Sequence, residues 1–157
     1  MTDKKLKSHR VKIDKIDKEI YALIQKRASH AVAIGKIKSK VSPKESFYKP
    51  DRETKILRNI LKANKKWLLP DSKIRAIYKE LISGCLSLEE ILKVAYLGPE
   101  ATHSEAAVHN QFGSQALRIP TSTIDDVFYQ VINDDVNLGV VPVENSSEGV
   151  INTTLNC

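Results

Sequence analysis

Residues 13–41 read IDKIDKEIYALIQKRASHAVAIGKIKSKV, and the placing of apolar residues in this stretch decides the fold of the first half. Ile13, Ile16, Ile20, Leu23, Ile34, Ile37 and Val41 fall on a three-four repeat, with Arg27 and His30 on the two rungs between Leu23 and Ile34. The spacing predicts one long helix, from about Lys4 to Val41, with an apolar seam. A seam this regular implies a partner helix. At about 1.5 Å per residue the helix runs more than about 50 Å, longer than a small domain covers by itself. The expected partner is a second copy of the chain, giving a homodimer joined through the first long helix.

Charge divides the chain. Residues 1–93 carry 24 Lys and Arg against 11 Asp and Glu, a balance of +13, while residues 94–157 carry 1 against 8, a balance of −7, which together give the net +6. A basic first half suits nucleic acid, an anionic surface or small polyanionic substrates. No apolar run approaches the length of a membrane span, and the opening residues lack the apolar core of a signal peptide. The expectation is a soluble, cytoplasmic protein. Cys85 and Cys157 have no metal-type spacing, and Cys85 falls near the apolar face of a helical pattern, where it reads as a buried free thiol.

Ser42-Pro43 is a stop for the first helix. Pro50 suits the first position of a second, with Asp51 and Glu53 in its first turn and Ile56, Leu57, Ile60 and Leu61 on one face, ending near Trp67. Pro70-Asp71 opens a third, whose apolar pattern runs through Cys85 and Leu88 and fades around Leu92. At Val94 the grammar changes. Val94-Ala-Tyr-Leu before Gly98-Pro99 reads as a buried strand, followed by a helix from about Ser104 to Gly113, a strand over Ala116–Ile119, a helix over Ile124–Asn133 with Thr123 and Asp126 as an acidic capping box, and a strand over Leu138–Val143. Glu144 to Gly149 reads as a polar loop ahead of another helix. The expected organisation is an all-α three-helix domain over residues 1–92 and an α/β domain with a parallel sheet over 93–157, incomplete at its end.

Arg27 and Lys38 lie eleven residues apart, so they share a helix face about 16 Å apart along the axis and can converge on one small anion. Arg10 stands about 25 Å from Arg27 and off that face, so it reaches the same site only from another chain. Lysines and arginines on a helix are ordinarily solvated, but a guanidinium on an apolar seam needs a counter-anion or a wet cavity. His30 reads as a core or interface residue. Lys49, Arg52 and Glu53 gather at a helix N-terminus, where an anion or hydroxylated ligand is favoured. Cys85 and Glu89, four residues apart, are expected on one face of the third helix.

Arg10, Arg27, Gly35-Lys36-Ile37-Lys38, Phe47-Tyr-Lys-Pro-Asp-Arg-Glu53 and Cys85-Leu-Ser-Leu-Glu89 resemble, in order and spacing, the all-helical class of chorismate mutase. Val94-Ala-Tyr-Leu-Gly-Pro-Glu-Ala-Thr-His-Ser104 and Gly139-Val-Val-Pro-Val-Glu-Asn-Ser-Ser-Glu-Gly149 resemble the opening motifs of prephenate dehydratase. Together they resemble the N-terminal part of the bifunctional chorismate mutase/prephenate dehydratase family of phenylalanine biosynthesis. The resemblance implies that Arg10 of one subunit, with Arg27, Lys38 and Arg52 of the other, holds the carboxylates and ether oxygen of chorismate. Glu53 takes the ring hydroxyl, Cys85 stands where some relatives have serine, and Glu89 stands where others have glutamine facing the ether oxygen. Lys38, Glu89 and Arg27 are then the catalytic set. Ser104, Glu144, Asn145 and Ser146 become prephenate-contacting positions. Ala101 departs from the family's glycine and His103 from its aromatic residue, and the dehydratase's Thr-Arg-Phe motif is absent, so the dehydratase half is expected to be inactive.

The rearrangement of chorismate to prephenate is unimolecular and needs neither nucleophile nor proton transfer, so a cationic cage suffices. No metal or organic cofactor is expected, and neither nucleic acid nor a membrane is expected as partner. Two other readings compete: a basic helical nucleic-acid-binding module, with its cations on an outer face and steeply salt-dependent binding, and a dimerisation module without catalysis.

Overall fold

The computed structural model describes residues 2–41, 48–65, 68–145, 149–150 and 154. Three helices come first: α1 (Thr2–Val41), α2 (Pro50–Ala63) and α3 (Asp71–Leu86). They are followed by β1 (Lys93–Leu97), α4 (His103–Phe112), β2 (Leu117–Thr121), α5 (Ile124–Ile132), β3 (Leu138–Val140), β4 (Glu144–Asn145) and β5 (Gly149–Val150). The proline stop at Ser42-Pro43 lies outside the described residues.

At 40 residues, α1 is about 60 Å long. Both α1 and α2 pack on α3. The described chain leaves the seam uncovered: Ile13, Ile16, Ile20 and Leu23 are 47–67% exposed, and Ile34, Ile37 and Val41 are exposed as well. Two helix ends differ from the sequence expectation. Helix α2 stops at Ala63 rather than near Trp67, which itself lies outside the described residues. The Asn64 side chain donates to Leu69 O at 2.9 Å and to Asp71 Oδ1 at 2.7 Å, tying the end of α2 to the start of α3. Helix α3 stops at Leu86 rather than near Leu92. Leu88 N bonds Cys85 O at 3.3 Å and Glu89 N bonds Leu86 O at 2.8 Å, so the last turn tightens and the chain straightens. Leu92 is thereby delivered to the α/β core, which explains why an apolar pattern that looked helical ends early.

In the second half, β1 lies at the centre of a parallel sheet of order β2-β1-β3. Side chains alternate across β1, so Val94 and Tyr96 pack with Leu92, Val108 and Ala116 on one face, and Ala95 packs with Val127 and Val136 on the other. Helices thus cover both faces, as a parallel sheet requires. At Gly139 a side chain is excluded, because a Cβ there would sit 2.6 Å from Val127 Cγ1 where α5 crosses β3. The expected capping box is present, with Thr123 Oγ1 accepting from Asp126 N at 3.1 Å and Asp126 Oδ2 from Thr123 N at 3.2 Å. In place of one strand to Val143 and a polar loop, β3 ends at Val140 and β4 pairs antiparallel with β5. Pro142 lacks the N–H that a continuing ladder needs.

Candidate functional site

A pocket of about 680 Å³ forms among α1, α2 and α3. It is lined by Arg27, Lys38, Arg52, Glu53, Cys85 and Glu89, the expected set apart from Arg10, and also by His30, Ile34, Tyr48, Lys49 and Ile82. Each comes from a short-range rule. Arg27 and Lys38 share one face of α1, Arg52 and Glu53 occupy the first turn of α2, and Cys85 lies in the last turn of α3. Glu89 is beyond the end of α3, contrary to the expected common helix face, yet the tightened turn still points it into the pocket. Gly35 makes room for it, since a Cβ there would meet Glu89 Cα and Cβ at 3.3 Å.

Arg27 donates from one guanidinium nitrogen to Leu81 O at 3.3 Å, which fixes the head group and leaves its other donors for a ligand. Lys38 Nζ stands 3.5 Å from Glu89 Oε2, with the two side chains 32% and 11% exposed. Glu53 is half-buried, and burial raises its pKa above the ordinary carboxylate range, with the charge of Lys79 partly opposing the shift. Cys85 is a buried free thiol. Arg27, His30 and Ile34 are consecutive rungs of the seam and also line the pocket. The exposed seam therefore runs along one wall of the pocket. Arg10 stands on the same seam-bearing helix, exposed and away from the pocket of its own chain.

Tyr48, Ile82 and Leu86 line the pocket without having been assigned a place there. Tyr48 falls within the stretch Phe47-Tyr-Lys-Pro-Asp-Arg-Glu53, one residue before the α2 N-cap, and that position is the available signal.

In the α/β half, a second depression forms where β1 and β2 end, lined by Gly98, Pro99, Glu100, Pro120, Thr121 and Ser122. Open parallel sheets bind ligands beyond these strand ends. The expected positions are not gathered there: Ser104 is in the first turn of α4, Glu144 and Asn145 form β4, and Ser146 lies outside the described residues. The glycine-to-alanine departure has a structural correlate, because Ala101 adopts φ 63, a conformation that favours glycine. Its N–H donates to Glu105 Oε2 at 2.6 Å. Among the described residues, no group of His, Cys, Asp and Glu is arranged to hold a metal, and no helix is long and apolar enough to cross a membrane.

The family model described as chorismate mutase type II matches residues 9–90, and the one described as prephenate dehydratase matches residues 94–157. The chain belongs to the chorismate mutase type II family. It is 44% identical over 154 residues to a bifunctional chorismate mutase/prephenate dehydratase of Stutzerimonas stutzeri, covering 96% of this chain and 42% of that protein. It is 47% identical over 154 residues to the protein of the same description from Aquifex aeolicus, with the same coverage. The Escherichia coli K12 protein of that description is 26% identical over 159 residues, covering 91% of this chain and 41% of that protein. The chain spans about 42% of the length of the first two relatives.

Proposed function

We propose that the helical half, residues 1–92, is a chorismate mutase that works as a homodimer, and that residues 93–157 belong to a prephenate-directed α/β unit. The observation that carries this reading is the convergence of Arg27, Lys38 and Arg52 on one pocket with Glu53, Cys85 and Glu89. A nucleic-acid module would carry its cations on an outer face.

Chorismate offers two carboxylates, an ether oxygen and a ring hydroxyl. Arg27, Arg52 and Arg10 of the partner subunit bind the carboxylates and select the compact conformer, so that the reacting carbons meet without loss of further entropy. Lys38 faces the ether oxygen and stabilises the negative charge that grows there as the C–O bond breaks. Glu89 lies beside it, and Glu53 accepts the ring hydroxyl. The steps need no electron sink and no activated water, so the side chains suffice without a cofactor.

The homodimer reading is supported by the exposed seam, whose Arg27, His30 and Ile34 rungs double as pocket wall. An antiparallel partner along it brings its own Arg10 to the mouth. A cytoplasmic location suits the free thiol of Cys85. In the α/β unit, Ser104, Glu144, Asn145 and Ser146 remain the positions that the family resemblance assigns to prephenate, and the depression at the strand ends, which Ser104, Glu144 and Asn145 do not line, is a separate candidate for a small acid. The test is loss of chorismate absorbance on addition of the purified chain, in buffer containing a chelator. Arg27→Ala should lower kcat/KM about 10²-fold or more; equal rates for wild type, Arg27→Ala and a blank would refute the reading.

A further inference from the structure

The mutase pocket and the α/β half share a wall. Tyr48 lines the pocket beside Arg52 and Glu53, and its ring meets that of Phe112 edge-on, with centroids 5.4 Å apart and planes at 70°. Gln111 Nε2 stands 3.5 Å from the Tyr48 hydroxyl. Gln111 and Phe112 are the last two residues of α4. Tyr48 and Leu86 both line the pocket and both pack on the cluster of Leu92, Val94, Tyr96 and Val108 at the centre of the α/β half.

Behind the pocket the same region is pinned to α3. Glu80 Oε2 accepts from Ser114 Oγ at 2.6 Å, and Ser83 Oγ accepts from Gln115 N at 3.3 Å. Gly113 ends α4 at φ 79, so close that a Cβ there would lie 2.6 Å from Ser83 Cβ. Helix α3 in turn supplies Ile82 and Cys85 to the pocket. Burial raises the pKa of Tyr48, opposed by its hydrogen bond with Gln111 and reinforced by the charge of Glu53, so the phenol stays neutral beside that acid.

We propose that Tyr48 is a positioning residue for chorismate, held in place by Phe112 and Gln111 of α4, so that the α/β half sets part of the mutase pocket's affinity. Tyr48 stands two residues before α2 begins, and anchoring its ring fixes where the first turn presents Arg52 and Glu53. That contact is the same before and during the rearrangement, so it acts on binding rather than on the chemical step. The strength of an edge-on aromatic pair sets the scale, about two- to tenfold in affinity.

The inference rests on the mutase reading, and its test separates the two. In the full chain, Phe112→Leu keeps apolar volume and removes the ring. It should raise KM for chorismate about two- to tenfold while kcat stays within about twofold, and Phe112→Tyr should restore the wild-type KM. Tyr48→Leu should also raise KM, and the double variant should be no worse than Tyr48→Leu alone. An unchanged KM in Phe112→Leu, or additive effects in the double variant, overturns the proposal while wild-type turnover stands. Absence of turnover in the wild type removes the mutase reading itself.

Discussion

Lys38 Nζ and Glu89 Oε2 stand 3.5 Å apart in the pocket, and Gly35 leaves beside Glu89 the space that a Cβ would fill. An ionised carboxylate only accepts hydrogen bonds, so in this pair Glu89 draws on the charge of Lys38 and offers nothing to an ether oxygen. An amide donates at every pH. Replacing Glu89 with Gln should therefore leave the chain folded and raise kcat for chorismate, because the amide donates to the oxygen on which charge grows and releases Lys38 from its ion pair. An unchanged or lower kcat in the folded variant would show that this side chain does not face the reacting oxygen.

Glu53 gives a pH-dependent stability of known sign. Burial raises its pKa in the folded chain, and Lys79 only partly offsets this. Below the unfolded value both states hold the proton and the group contributes nothing. As pH climbs past that value the unfolded chain ionises first, and stability falls until the folded value is exceeded. Glu53→Gln removes this loss. Urea midpoints of variant and wild type should separate in the variant's favour between acid and neutral pH, and a constant difference would contradict the assignment.

Ala101 holds φ 63, where an L side chain is strained by about 1–2 kcal/mol and glycine is not. Part of the relief is offset by the greater freedom of glycine in the unfolded chain. Ala101→Gly should raise stability by about 0.5–1 kcal/mol with an unchanged denaturant slope. A lower urea midpoint would mean that the side chain contributes packing that its exposed position does not suggest.

The long helix was legible because its three-four repeat runs the length of α1, and the switch to a sheet was legible because Val94-Ala-Tyr-Leu precedes a turn signal. Local rules also placed Arg27 and Lys38 on one face and Arg52 and Glu53 in one first turn. What they missed depends on long-range contacts. The pattern through Leu88 and Leu92 looks helical, but Leu92 is claimed by Val94, Tyr96 and Val108, and the helix ends at Leu86. Tyr48 has only its place before the α2 N-cap as a local sign, and its aromatic partner Phe112 stands 64 residues away in sequence.

Arg10 and Lys38 are 28 residues apart on one helix, about 42 Å, so a pocket that uses both must draw them from two chains. Arg10→Ala and Arg27→Ala chains should each be nearly inactive as homodimers. In their heterodimer, one site combines both substitutions and the other has neither. The decisive measurement is chorismate turnover by heterodimers purified through two different tags. The account predicts about half the wild-type rate per dimer, from one intact site, whereas verified heterodimers as inactive as the parent homodimers would contradict a site shared between two copies of this chain.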